Sequence, residues 1–221
     1  MAEKPTIAVI GGTGALGSGL AKRLARAGYP VVIGSRDPAK AKAAAAAFGH
    51  GSVRGAGQAD AARAAEVVIL AVPFASQAET LAAIAPACVG KLVIDTTVPL
   101  VPPKVGTVQL PAEGGAGLST RRALGPSARV VSAFHNVSAA KLQGDGAIEC
   151  DVLVFGDAPE DRDATIRLVE AAGLRGFHGG PLANSVAAEA LTSVLITINR
   201  LYKVDGAGIR IVGKKTDGTA L

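Results

Sequence analysis

A glycine-rich turn near the start of the chain limits its possible folds more than any other feature. Residues 11–17 read GGTGALG, and they lie between the apolar run 7–10 and a helical stretch. The spacing G-x-G-x-x-G falls on Gly12, Gly14 and Gly17, in the strand–turn–helix setting of a dinucleotide site. Gly12 is expected to permit the tight turn, Gly14 to let the backbone approach a pyrophosphate, and Gly17 to let the helix pack closely on the strand.

This turn predicts an anion site at the N-terminus of the first helix. Unpaired backbone N–H groups and the helix dipole both favour a pyrophosphate there. The nucleotide-contacting residues expected in the turn are Gly12, Thr13, Gly14, Ala15 and Leu16. Because the chain has 28 glycines, the alternative is a glycine-rich turn that binds nothing.

The end of the second predicted strand distinguishes between the two nicotinamide dinucleotides. Sites for NAD usually have an acidic residue there, which accepts hydrogen bonds from the ribose hydroxyls. Here Ser35 and Arg36 stand at the end of the strand, with Lys40 one helical turn further on. Asp37, which precedes Pro38, is expected to be occupied as a helix N-cap. A hydroxyl, a guanidinium and an ammonium suit a 2′-phosphate, so the pattern favours NADP over NAD. The alternative is that Arg36 and Lys40 are ordinary surface charges.

The composition favours a soluble protein with a small anionic ligand. The 221 residues are 49% hydrophobic but only 3% aromatic, and the net charge is +5. No run of Lys and Arg is interleaved with aromatic residues, so nucleic acid is not an expected partner. Apolar stretches such as 67–73 have the length of strands rather than of membrane spans, and no signal peptide is expected. Cys88 and Cys150 form no C-x-x-C, which suits reduced thiols in the cytoplasm.

Strands and helices are predicted to alternate through most of the chain. The predicted strands are 5–10, 30–35, 52–55, 67–72, 91–95, 129–134 and 151–155. The predicted helices are 14–28, 38–48, 58–65, 75–86 and 159–172, with a last helix over 183–202. This alternation predicts an α/β fold, a Rossmann-type doubly wound and mostly parallel sheet with a small C-terminal helical and strand appendage.

Two domains are expected in this arrangement. Residues 1–157 are predicted to form the NADP-binding domain, and 158–221 a small C-terminal part. The Pro-rich segment 99–111 is expected to be a long loop at the carboxyl edge of the sheet, either part of a substrate site or an irregular crossover. The Gly- and Lys-rich tail 205–221 is expected to be partly mobile.

Few side chains are candidates for covalent or acid–base chemistry. The sequence contains no Tyr-x-x-x-Lys, no nucleophile elbow and no His/Cys cluster with metal spacing. His135 and Asn136 remain, directly after a predicted strand that ends at the sheet edge. The alternative for them is structural, with His135 capping the next turn and Asn136 bonding the backbone.

Five segments together resemble the NADP oxidoreductases that depend on coenzyme F420. In chain order they read GGTGALGSGLAKRLA, VVIGSRDPAKA, VILAVPF, VVSAFHNVSAAKL and GPLANSVAAEALT. Their order and spacing fit that family from Ile7 to about Ile211. The resemblance implies that NADP lies on the glycine-rich turn and that its 2′-phosphate meets Ser35, Arg36 and Lys40. It also implies that a deazaflavin lies against the nicotinamide, in a cleft that the C-terminal part, 158–221, closes.

The resemblance also implies the remaining site residues. Bordering the nicotinamide are expected Val72, Pro73, Asn136 and Val137. Acceptor-binding residues are expected to be His135, Asn184 and Thr192. His135 is the catalytic candidate, because it can hydrogen-bond the polar edge of the acceptor as that ring receives hydride.

The acceptor half departs from the family pattern. Val186 stands where Arg is usual, and Ala190 where Ser is usual, whereas Thr192 is kept. The predicted activity is therefore direct hydride transfer between NADP(H) and coenzyme F420, with two alternatives left open. One is an NADPH-dependent reductase of another flat heterocycle, a pterin or a flavin, and the other is a non-catalytic NADP(H) sensor. The broad apolar face of the final helix, together with the resemblance, predicts a homodimer.

Overall fold

The computed structural model describes residues 4–217 and Thr219, and its centre is one eight-stranded sheet. The strands are β1 (Ile7–Ile10), β2 (Val31–Ser35), β3 (Val53–Gly57), β4 (Val67–Leu70), β5 (Leu92–Asp95), β6 (Arg129–Ser132), β7 (Asp151–Gly156) and β8 (Arg175–Gly180). Their order is β3-β2-β1-β4-β5-β6-β7-β8, and only the β6–β7 pairing is antiparallel. The predicted Rossmann-type, mostly parallel α/β sheet is confirmed.

Helices cover both faces of the sheet. They are α1 (Ala15–Arg26), α2 (Pro38–Ala47), α3 (Gln58–Arg63), α4 (Gln77–Ile84), α5 (Ala116–Leu124), α6 (Ala139–Gln143), α7 (Pro159–Ala171) and α8 (Ser185–Tyr202). Single 3-10 turns precede α4 at Phe74–Ser76 and α8 at Leu182–Asn184. Strands β1, β4 and β5 are buried along their whole length, as expected for unalternating apolar strands with helices on both sides.

Two helices were not predicted from the sequence. Helix α5 follows the Pro-rich segment, and its sequence AGLSTRRAL has no capping side chain of its own at Gly115. Helix α6 has only five residues, which is too short to give a helical periodicity. β8 adds to the same sheet as the seven strands before it, and the predicted division of the chain at residue 157 stays a prediction.

The glycine-rich turn has the predicted strand–turn–helix geometry, with one change of role. The left-handed φ of +84° belongs to Gly11, so Gly11 rather than Gly12 makes the tight turn possible. A Cβ on Gly17 would lie 2.5 Å from the Gly11 carbonyl oxygen, so Gly17 does allow the helix to pack against the turn.

The C-terminal tail differs in part from the expected mobile segment. Residues 206–211 fold back against the start of β7, where Asp151 N donates to Ile209 O at 2.8 Å. Beyond Ile211, the side chains of residues 212–217 and Thr219 are exposed. The rest of the predicted mobile tail, at 218, 220 and 221, lies outside the described residues.

Candidate active site

A cavity of about 160 Å³ opens at the carboxyl edge of the sheet, between the ends of β1, β2 and β4. Six residues predicted from the sequence line it: Thr13, Gly14, Ser35, Arg36, Val72 and Pro73. Its wall also contains Gln58, Ser76 and Thr80, which sequence reasoning missed. Gln58 follows β3 at the same edge, so its place directly after a strand was the signal that could have identified it.

The corner of this cavity at the end of β2 is cationic. The Asp37 carboxylate accepts hydrogen bonds from Ala39 N at 2.9 Å and Lys40 N at 3.3 Å, which confirms its predicted capping role. Ser35 Oγ accepts a hydrogen bond from Asp37 N at 3.2 Å. Arg36 and Lys40 are both exposed, and within residues 4–217 the Arg36 guanidinium has no hydrogen bond or ion pair. Asp37 is thus occupied, whereas Arg36 remains available to an anion.

The glycine-rich turn leaves room for a ligand at Gly14. This residue is exposed, and a Cβ built on it would meet only the Gly11 carbonyl oxygen, at 3.3 Å. Its neighbours Thr13 and Ala15 are exposed too, while Leu16 is half-buried against the core and Gly12 is buried. A side chain at Gly14 would therefore fill space outside the protein core and leave the fold intact.

His135 lies three residues after the end of β6, and its side chain is shielded from solvent. Its side chain is buried, and its Nε2 lies 2.7 Å from Ser132 Oγ. Burial lowers the pKa of His135 to about 3, so the imidazole is neutral at physiological pH. The preceding residue, Phe134, has a left-handed φ of +66°, a strained conformation for a residue with a large side chain. His135 can therefore act as a neutral hydrogen-bonding group, held by a strained backbone turn.

Asn136 and Thr192 connect this loop to α8. Asn136 Nδ2 donates to Ala188 O at 2.9 Å and lies 3.3 Å from Thr192 Oγ1. Thr192 Oγ1 donates to His135 O at 3.0 Å. Three of the predicted site residues are thus brought together, and the Asn136 amide contacts backbone, as the structural alternative anticipated. Val137, the next residue, is buried.

Asn184 occupies a different position from the His135 cluster. It is exposed at the start of α8, and its Nδ2 donates to Gly179 O at 3.1 Å, next to the end of β8. Val186 and Ala190, the two departures from the family pattern, are half-buried on the same helix.

Two buried carboxylates behind the site were missed by sequence reasoning. Asp95, at the end of β5, accepts hydrogen bonds from Gln77 Nε2 at 2.9 Å, Thr120 Oγ1 at 2.6 Å and Thr97 N at 2.8 Å. Burial raises the pKa of Asp95 to about 6, against the opposing effect of these hydrogen bonds. The sequence signal was an acidic residue at the end of the apolar run 92–95. A carboxylate is buried only when it has hydrogen-bonding partners, so such a residue indicates a polar cluster around it.

Glu189 is the second of these carboxylates. It is 1% exposed, and it accepts hydrogen bonds from Ala116 N at 2.6 Å, Gly117 N at 3.1 Å and Ser185 Oγ at 2.8 Å. It therefore caps the N-terminus of α5 from α8, in place of the capping side chain that Gly115 lacks. A single acidic residue in a largely apolar helix was the sequence signal.

Comparisons with known proteins agree with this geometry. The family model described as NADP oxidoreductase, coenzyme F420-dependent, matches residues 6–99. The chain is 40% identical over 217 residues to the F420-dependent NADP reductase of Methanothermobacter marburgensis, an alignment that covers 93% of this chain and 97% of that protein. It is 36% identical over 218 residues to the F420-dependent NADP reductase of Methanocaldococcus jannaschii, with 93% and 97% covered.

A solved structure extends the similarity to the whole fold. It is a protein of Arthrobacter sp. FB24 proposed to be an F420-dependent NADP reductase, with a TM-score of 0.80 at 27% identity. The match covers 94% of this chain and 99% of that one. An imine reductase from Myxococcus stipitatus has a TM-score of 0.65 at 19% identity, which shows a shared fold alone.

Proposed function

The chain belongs to the family of NADP oxidoreductases that depend on coenzyme F420, and we propose on that basis that it transfers a hydride directly between NADP(H) and the deazaflavin F420. It is an NADP-dependent oxidoreductase, and its cofactors are NADP(H) and coenzyme F420. The observation that carries the proposal is that one sheet edge holds the glycine-rich turn, the Arg36 guanidinium, which has no partner within residues 4–217, and the segment 133–138 after β6. We call that segment the His135 loop.

The residues at this edge fit such a nucleotide. Arg36, Lys40 and Ser35 would hold the 2′-phosphate, with Arg36 as the donor that has no competing partner within residues 4–217. The exposed backbone at Gly14 leaves the space that a pyrophosphate needs. Gly12, Thr13, Ala15 and Leu16 complete the turn, and Val72 and Pro73 border the path towards the nicotinamide.

The protein's contribution to the reaction is positioning and exclusion of water. When both cofactors are bound, the nicotinamide and the deazaflavin themselves supply the hydride chemistry, which needs no nucleophile or metal. His135, Asn136 and Val137 form a buried floor, and the neutral His135 side chain offers a hydrogen bond without adding a charge. Thr192 holds this floor through the carbonyl of His135, so we propose Thr192 as a positioning residue of the acceptor side. Asn184 is proposed as an acceptor contact at the exposed start of α8.

A labelled hydride tests the proposed function most directly. NADPH carrying deuterium at nicotinamide C4 is mixed in turn with F420, a flavin and a pterin, and the rate of reduction of each acceptor is followed by absorbance. The deuterium content is measured in reduced F420, where the hydride is held on carbon, whereas the N5–H of a reduced flavin exchanges with solvent and flavin reduction is scored by its rate alone. We expect label in reduced F420 and a faster reaction than with the other two acceptors. Transfer to the flavin or pterin alone would establish the alternative heterocycle, and tight NADPH binding without any transfer would establish the sensor.

We also propose that the chain is a cytoplasmic homodimer, with α8 in the interface and residues 158–221 closing the acceptor cleft. Leu201 and Tyr202 at the end of α8 are 73% and 75% exposed, and Val194 and Val204 add further apolar surface. By length and composition alone, the segment Leu182–Tyr202 could cross a membrane, with mean hydropathy 1.2. The buried polar contacts of Glu189 and Thr192 tie this helix to the rest of the protein, which favours a second copy of the chain over a membrane as its partner.

A further inference from the structure

The chain folds back on itself after α8 and packs beneath the His135 loop. Lys203 ends the helix with a left-handed φ of +53°, and Gly206 reverses the direction with a φ of +70°. Ala207 N then donates to Asn199 Oδ1 at 2.7 Å. We call residues 206–211 the C-terminal strap.

The strap lies so close to its neighbours that two of its glycines leave no room for a side chain unless a neighbouring residue moves. A Cβ on Gly206 would lie 2.6 Å from both Cβ and Oγ of Ser138, the N-cap of α6. A Cβ on Gly208 would lie 2.7 Å from Cys150 Sγ and 2.9 Å from Cys150 Cβ. All of these distances are shorter than van der Waals contact, so a side chain at either glycine must push Ser138 or Cys150 away.

An ion pair with a buried carboxylate fixes the far end of the strap. Asp151 Oδ2 accepts a hydrogen bond from Ile211 N at 2.6 Å, and Arg175 binds both oxygens of the same carboxylate at 2.8 and 2.7 Å. The Asp151 side chain is only 4% exposed, and its pKa is lowered by the hydrogen bond from Arg175. The carboxylate is therefore charged and joins β7, β8 and the strap.

The His135 loop is in contact with the strap and with α8. The thiol of Cys150, which the strap covers at Gly208, donates to Asn136 O at 3.4 Å. The Asn136 side chain donates to α8, and Ser138, two residues later, packs against Gly206. A displacement of the strap is thus transmitted directly to residues 136–138.

We propose that the C-terminal strap positions the His135 loop against the nicotinamide. Gly208 is the positioning residue, because its lack of a side chain lets the strap lie close to Cys150 and so sets the distance between the loop and the nicotinamide. This inference rests on the proposed function, because it assumes that residues 135–137 border the nicotinamide. A shift of about 1 Å in a reacting pair can reduce the rate about 100-fold. The 2′-phosphate end of the nucleotide contacts α2 and the end of β2, so its binding is independent of the strap.

The experiment compares Gly208→Ala with Gly51→Ala in the full-length protein. Gly51 is a matched control, because a Cβ there meets nothing within 4 Å. For each variant we measure the dissociation constants of NADPH and of 2′,5′-ADP, and the single-turnover rate of F420 reduction per NADPH-binding site. Gly208→Ala should lower that rate about 10- to 100-fold and weaken NADPH relative to 2′,5′-ADP, while 2′,5′-ADP itself binds within about twofold of wild type.

A second substitution tests the contact itself. Cys150→Gly removes both atoms that would lie within 3 Å of the new methyl group, and also the thiol that donates to Asn136 O, so its own rate is the reference. Measured against Cys150→Gly alone, adding Gly208→Ala should lower the rate far less than Gly208→Ala does in the wild-type background. If Gly208→Ala does not fold, Ile211→Pro removes the hydrogen bond to Asp151 at the far end of the strap, and it should produce the same pattern with a smaller loss.

The results distinguish a failure of the proposed function from a failure of the strap inference. A wild-type protein that binds NADPH but reduces no F420 refutes the proposed function, and the ratio of NADPH to 2′,5′-ADP affinities then still tests the strap. A folded Gly208→Ala protein with both the rate per site and this ratio within twofold of wild type overturns the inference. So does a parallel loss of affinity for both nucleotides, because that result means general destabilisation.

Discussion

Replacing Arg36 by alanine should distinguish a nucleotide site for NADP from one for NAD. Arg36 is exposed beside the cavity, and within residues 4–217 its guanidinium has no protein partner. A charge-assisted hydrogen bond contributes about 1.5–3 kcal/mol, and solvent screening at an exposed site favours the lower end of that range. Since about 1.4 kcal/mol corresponds to a tenfold change in affinity, the NADPH dissociation constant should rise about 10- to 100-fold.

Isothermal titration of both nucleotides gives the required comparison. The affinity for NADH should change less than about twofold, because NADH lacks the phosphate that Arg36 is expected to bind. Lys42→Ala is the matched control, since it removes a positive charge from an exposed position of α2, the helix that begins two residues after Arg36. The loss at Arg36 should also shrink as the salt concentration rises. Equal losses for NADPH and NADH would refute the assignment of Arg36 to the 2′-phosphate.

Four further outcomes follow from the site and from α8. Gly14→Val should fold normally but abolish the rise in melting temperature that NADPH produces, and an unchanged rise would remove the glycine-rich turn from the site. Val186→Arg with Ala190→Ser should improve turnover with F420 if these positions merely weaken a deazaflavin site, whereas lower turnover would indicate a site for another heterocycle. Because burial lowers the pKa of His135 to about 3, the rate of hydride transfer should show no ionisation of His135 between about pH 5 and 8, and an ionisation near pH 6.5 that disappears in His135→Gln would contradict its neutral role. Light scattering at micromolar concentration should give the mass of a dimer, and the mass of a monomer would rule out the proposed interface.

Features set by neighbouring residues could be predicted from the sequence. The strand–turn–helix unit at Gly12 to Gly17 and the Asp37 cap both depend on contacts within a few residues. The apolar run at β4 likewise identified a central strand of the sheet. These elements bring Thr13, Gly14, Ser35 and Arg36 to one cavity, and the roles of these residues in nucleotide binding stay a prediction.

Features that depend on distant partners could not be predicted. The carbonyl of His135 is held by Thr192, which is 57 residues away. Gly206 and Gly208 read as parts of a polar tail, because nothing in their surroundings indicates that Ser138 and Cys150 lie within van der Waals distance. The tight turn was assigned to Gly12 rather than Gly11, because the motif fixes the spacing of glycines but not which residue has a positive φ.

The cap that Glu189 provides couples the local unfolding of α5 to that of α8. Its contact with Ala116 spans 73 residues, so the first turn of α5 gains this cap only after α8 has docked. Such a long loop closure belongs late in folding, once the entropic cost of joining distant segments is offset by other contacts. In the native protein, the amide hydrogens at the start of α5 should therefore exchange with solvent whenever α8 undocks. The two helices should form one cooperative unit in hydrogen exchange, although three strands, two helices and a 3-10 turn separate them along the chain.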